Sequence, residues 1–121
     1  RMGRDMFTKK RFIEAIAYFD KLLELFPESP MADNALYWKG EAKYSTKKWK
    51  EAHTIFQLVL DKYPYGNKVP AATLKRGYAE EKLGMTKAAI ASMEEVITRF
   101  ENSDVAVTAR KKLQLLRAQV Q

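Results

Sequence analysis

An internal step of 37 residues constrains this chain more than any local pattern does. Slid by that step, Gly3 falls on Gly40 and Gly77, and Ala15 falls on Ala52 and Ala89. Ala35 meets Ala72 and Ala109, Phe19 meets Phe56 and Met93, and Pro27 meets Pro64 and Glu101. A period of this size marks a repeat architecture, because one such unit cannot bury its own apolar face and must stack on neighbours. Residues 35–64, ALYWKGEAKYSTKKWKEAHTIFQLVLDKYP, show the unit: two apolar-periodic segments joined by a lysine-rich turn.

The helices follow from spacing and punctuation. Residues 1–8 read as the tail of a helix ending near Thr8. Phe12, Ala15, Ile16, Phe19, Leu22, Leu23 and Phe26 then keep the i, i+3, i+4, i+7 spacing of an amphipathic helix. Pro27 stops it, since the residue before a proline is pushed out of the α region. Ser29, Gly66 and Ser103 share one slot of the period, and all three are residue types tolerated at a helix N-cap. Helices are therefore predicted over about 31–45, 49–63, 68–83 and 86–100 and from about 104, with Gly84 as a stop signal. Ala35, Leu36, Trp38 and Ala42 are expected inward on one helix, and Trp49, Ala52, Ile55, Phe56, Val59 and Leu60 on its partner. Gly40 and Ala52 let the two backbones approach, with Phe56 filling the space beyond. In the last helix Gln114 takes the glycine slot, and Arg110, Lys111, Lys112 and Arg117 give the polar back that ends a stack in water. The expected fold is all-α: one domain, a solenoid of antiparallel helix pairs with units at 1–30, 31–67 and 68–103 and a capping helix at 104–121.

Composition narrows the chemistry. The chain has 121 residues, no cysteine and a single histidine, so neither a disulfide framework nor a Cys/His metal set is expected. His53 has no second imidazole to complete a ligand set, and no serine has a base at an informative spacing. No glycine-rich phosphate loop is present. An enzyme, a metal site and a cofactor are all unexpected. Arg1 in first place, with Gly3 already inside a repeat, suggests a piece of a longer protein.

The Ala-x3-Phe and terminal proline of the first two units, Ala15/Phe19/Pro27 and Ala52/Phe56/Pro64, resemble the tetratricopeptide repeat. Departures are Leu36 and Lys39, then Thr73 and Arg76, where that consensus has Trp and Leu before the glycine. Over nearly the whole chain, FPESPMADNALYWKGEAKY…KKWKEAHTIFQLVLDKYPYGNK further resembles the C-terminal domain of the Tol–Pal-associated YbgF (CpoB) family. That resemblance implies a periplasmic scaffold that contacts TolA and coordinates outer-membrane constriction with cell-wall synthesis at division. It also implies that any oligomerisation runs through an N-terminal coiled coil. The outer-membrane assembly lipoprotein BamD shares the same repeat grammar and stands as the alternative.

For binding, the first helix of each pair is expected to line a concave groove. Counted from the packing glycine, its residues are Arg4 and Phe7, then Asn34, Tyr37, Glu41 and Tyr44, then Leu74, Tyr78 and Glu81, with Lys111 and Leu115 on the capping helix. Tyrosines supply rigid contact area with a hydrogen-bonding end, although Tyr44 reads more as seam packing. The Lys/Asn clamp of some tetratricopeptide domains is not expected, since its slots hold Tyr37, Trp38, Glu41 and Leu74 and leave only Lys75. A second surface is a basic rim: Lys9, Lys10 and Arg11 align with Thr46, Lys47 and Lys48, and Lys50 with Lys87. With the net charge of +7 it offers an electrostatic alternative, an adaptor for nucleic acid or another anionic surface. No aromatic residues interleave on that rim to stack bases.

Overall fold

The computed structural model describes the backbone of residues 2–120 and the side chains of residues 11–120. Its elements are α1 (Met2–Leu25), α2 (Ala32–Ser45), α3 (Trp49–Lys62), α4 (Val69–Lys82), α5 (Thr86–Arg99) and α6 (Asp104–Gln119). No strand occurs among the described residues. Each helix packs on the next along the chain, and α4 also meets α6, which is the arrangement of a tetratricopeptide-type stack.

The two inner turns are built alike, one period apart. Lys47 and Gly84 both take left-handed backbone, at φ 65° and 79°. The amides beyond them, of Lys48 and Met85, donate to the carbonyls of Lys43 and Glu80 at 2.9 and 2.8 Å. These bonds close the helix ends that would otherwise leave orphan carbonyls. Between pairs, Phe26, Tyr63 and Phe100 each donate one last amide to the helix before, and the chain then turns. Ser103 caps α6 by accepting from the Ala106 amide at 3.2 Å.

Gly40 and Gly77 hold the helix pairs together at close range. A Cβ on Gly40 would lie 2.7 Å from the Phe56 ring, and one on Gly77 would run into Met93. Two apolar cores result. One gathers Leu36, Tyr37, Ala52, Ile55, Phe56, Val59 and Ala72; the other gathers Leu74, Ala89, Met93, Val96, Ala106, Ala109, Leu113 and Leu116.

Several expectations are corrected. No break occurs near Thr8: α1 is one helix from Met2 to Leu25. Its turn slot holds Lys10, and between Gly3 and Pro27 there is neither glycine nor proline to stop it. A left-handed lysine costs roughly 1–2 kcal/mol, whereas continuing the helix satisfies every backbone group. The basic rim accordingly contains two turns rather than three; Lys9 and Lys10 lie outside the described side chains. Trp38 is not core but 47% exposed, and Trp49 is half-buried.

Candidate functional site

The slots expected to line the groove can be followed from α2 to α4 to α6. Tyr37, Leu74 and Lys111 share one slot, and Trp38, Lys75 and Lys112 share the next. Glu41, Tyr78 and Leu115 share a third. These helices bring the residues into one ladder of rings, ammonium groups and carboxylates. Lys75 Nζ lies 5.3 Å from the Tyr78 ring centre and 6.0 Å from that of Tyr44, and pairs with Glu41 at 3.3 Å. Lys112 Nζ lies 5.2 Å from the centre of the same Tyr78 ring and pairs with Glu81 at 2.8 Å. Tyr44 and Tyr78 are 6.4 Å apart, and Tyr44 stacks edge-on against Trp49 at 4.9 Å. An ammonium over an aromatic face is held by the ring's quadrupole, so the rings help fix these cations beside the carboxylates that pair with them.

The expected groove residues divide by burial. Tyr37 is 5% exposed and Leu74 7%, so both belong to the core beneath the groove rather than to its surface. The reason for Tyr37 is its place in the period: it shares the slot of buried Leu74, and its ring packs 5.8 Å from that of Phe56. Glu41, Tyr44, Tyr78 and Glu81 are half-buried along the seam, and Lys111 and Leu115 are exposed. Asn34 is half-buried, with its side-chain oxygen enclosed and without a hydrogen-bond partner. Arg4 and Phe7 lie outside the described side chains.

Electrostatics keep the rings neutral. Burial pushes the Tyr37 phenol well up, and the Glu41 carboxylate, 3.5 Å from its oxygen, pushes it further. Burial also raises Tyr44, with the nearby Glu81 charge adding to it. For Tyr78 burial raises the phenol against the opposing pull of Lys112. All three therefore present hydroxyl groups that donate and accept at neutral pH.

Sequence reasoning missed Trp38, Lys68, Lys75, Lys82 and Lys112 as members of this surface, and Lys112, expected on the polar back of the last helix, faces Tyr78 and Glu81 instead. Lys68 Nζ sits 5.1 Å from the Tyr37 ring centre and 5.4 Å from that of Trp38, and Lys82 Nζ sits 5.4 Å from that of Trp49. The signal was available twice. Lys68, Lys75 and Lys82 are seven apart, which places them on one helix face. Trp38 also shares its slot with Lys75 and Lys112, and lysine seldom occupies a core.

His53 also has a clearer position. It contacts buried Glu80 across the α3–α4 seam at 3.0 Å, as part of a structural network and not a metal set. Among the described residues no group of three or more His, Cys, Asp or Glu is placed to hold a metal ion.

Residues 30–110 match the family model YfiO, described as an outer membrane lipoprotein. The chain belongs to the YfiO family. The match spans α2, α3, α4 and α5 and the first part of α6, and includes every ladder residue named above except Lys111, Lys112 and Leu115 of α6. No curated protein matches the chain. Among the described residues of this YfiO-family chain, no helix is long and apolar enough to cross a membrane.

Proposed function

We propose that the chain is a non-enzymatic protein-interaction scaffold of the bacterial cell envelope, which takes a protein or peptide partner on the concave face of α2, α4 and α6. The observation that carries this reading is the ladder of Tyr44, Tyr78, Lys75 and Lys112 running across three helices, with exposed Trp38 beside it. Rings held rigidly by neighbours give large contact area at low entropic cost, which is how interface anchors work. Membership of a family described as an outer membrane lipoprotein supports the assembly-lipoprotein reading, BamD-like, over the Tol–Pal one. In the Tol–Pal reading the partner is TolA-like, the location periplasmic and the process division.

Site-specific photo-crosslinking tests the face and the system together. A photoreactive residue is placed at Tyr78 or Leu115 on the concave face, and at Lys48 or Lys50 on the basic rim. Adducts with an outer-membrane assembly component from the concave positions alone are the expected result. Adducts with a TolA-like protein would move the chain to the Tol–Pal system. Adducts from the rim alone would overturn the groove, and nucleic acid captured there would establish the electrostatic adaptor.

A further inference from the structure

We propose that the concave face recognises an extended acidic segment, through Lys68 and Lys82 held at the two ends of the α2–α4 seam. This rests on the groove reading above and specifies its ligand. Four ammonium groups lie on the ladder: Lys68, Lys75, Lys82 and Lys112. Two of them are already answered within the fold, Lys75 by Glu41 and Lys112 by Glu81. Lys68 and Lys82 have no carboxylate partner among the described residues and are held instead over rings: Lys68 over Tyr37 and Trp38, Lys82 over Trp49. Packing against a ring restricts the lysine stem but leaves ammonium hydrogens for a further acceptor. Each end of the seam is thus a fixed cation beside an exposed or half-buried indole.

The geometry sets a register. Lys68, the N-cap of α4, and Lys82, its last residue, are two heptads apart, and at 1.5 Å per residue their backbone positions are ~21 Å apart. An extended chain advances about 3.3 Å per residue, so carboxylates about six residues apart reach both cations. Glu41, midway along the seam, and Glu81, next to Lys82, already hold Lys75 and Lys112, so the middle of the seam offers no unpaired ammonium to a continuous acidic run. The ligand that fits has acidic groups at both ends and neutral or aromatic residues between, over Tyr44 and Tyr78. The basic rim has no such register: Lys47, Lys48 and Lys50 are simply exposed, and Lys43 is answered by Glu51 at 2.9 Å.

Fluorescence anisotropy with four labelled twelve-residue peptides tests this on the whole chain. One has acidic pairs six residues apart around a neutral, aromatic-containing middle. The second has the same composition with the acids adjacent, the third has lysines in place of the acids, and the fourth is the neutral peptide. The spaced acidic peptide is expected to bind tightest. Two variants with equal change of net charge then separate site from background: K68E/K82E is expected to weaken binding at least tenfold, and K48E/K50E less than twofold. Far-UV circular dichroism checks that both remain helical, and K68Q/K82Q is expected to give an intermediate loss. Equal losses in K68E/K82E and K48E/K50E, or equal binding of spaced and adjacent acids, would overturn the proposal. Preferential binding of the neutral or basic peptide, lost in Tyr78→Ala, would overturn the acidic specificity and leave the groove standing. Failure of every peptide to bind would remove both.

Discussion

Gly40 and Gly77 occupy the same slot, but the neighbours that fill the missing side chain differ in stiffness. A Cβ at Gly40 meets the wholly buried ring of Phe56, whereas one at Gly77 meets first the flexible end of the equally buried Met93, with Ser92 Cβ at 3.0 Å beyond it. Overpacking against an aromatic forces backbone movement, at about 1–3 kcal/mol, while a methionine re-rotates at lower cost. Gly40→Ala is therefore expected to lower stability by up to about 2 kcal/mol once the helix-propensity gain of roughly 1 kcal/mol is taken off. Gly77→Ala is expected to cost less than half as much, and urea denaturation of both variants gives the comparison. If Gly77→Ala proves the more damaging, Met93 is not the yielding partner. The same contrast shows what the sequence made legible at this scale. The period placed both glycines and paired Gly40 with Phe56, because backbone approach demands a small residue at a fixed slot. It put Trp38 in the core and Tyr37 on the groove, and the structure reverses the two: Tyr37 is buried and Trp38 exposed. That choice depends on the rotation of α2 about its axis, and the column of Lys75 and Lys112 behind Trp38 is the trace it leaves in sequence.

Between elements, polar contacts recur with the apolar ones. Lys39 of α2 pairs with Asp20 of α1 at 2.6 Å, and one period on Arg76 of α4 donates to Gln57 of α3 at 3.2 Å. Lys39 and Arg76, which look like defects in a tetratricopeptide consensus, are thus the residues that tie successive pairs. Helix boundaries were legible because prolines, the Ser103 cap and the left-handed slots punctuate them, although Ser29 and Gly66 lie two residues before the N-caps of their helices, Met31 and Lys68. The uninterrupted α1 was not, since reading a turn into Lys10 borrowed the behaviour of Lys47 without the contacts that fix it. Arg76 reaches further, donating to Glu95 of α5 at 2.8 Å, while Arg99 donates to the other Glu95 oxygen at 2.9 Å. Burial alone would raise the Glu95 carboxyl, but the hydrogen bonds and charges of Arg76 and Arg99 outweigh it and hold it below the usual range. A depressed folded-state pKa means stabilisation that is present above the ordinary glutamate value and lost as pH falls through the folded one. Glu95 is partly exposed, so the effect is modest, about 0.5–1 kcal/mol. Chemical denaturation of the parent and Glu95→Gln at pH 7 is expected to show that difference, and at pH 3 the two are expected to converge. A gap unchanged at pH 3 would assign the loss to packing instead of charge.

Across the whole molecule, the two apolar cores meet at α4, where Ala72 belongs to one and Leu74 to the other. A stack of this kind has no contact between distant units, so its cooperativity depends on each interface between neighbours. At this interface the polar groups converge on one buried carboxylate. Glu80, 6% exposed, accepts from Ser92 Oγ at 2.6 Å, and its other oxygen lies 3.0 Å from His53 Nε2 and 3.9 Å from Arg76 Nε. Arg76 in turn donates to Ser92 Oγ at 3.1 Å and to Gln57. Glu80 thus joins α3, which belongs to the first core, to α5, which belongs to the second. Removing one member of a buried, charged network leaves its partners unsatisfied and costs about 3–5 kcal/mol, whereas losing a half-exposed partner costs far less. Glu80→Ala is accordingly expected to destabilise strongly, and His53→Ala by less than about 1 kcal/mol. The distinctive consequence is loss of coupling. Hydrogen exchange in the parent is expected to show α3 and α5 opening with similar protection, and in Glu80→Ala α3 is expected to exchange well before α5. Uniform loss of protection across both helices would mean that the apolar contact of Ala72 and Leu74, and not the carboxylate, makes the stack unfold as one.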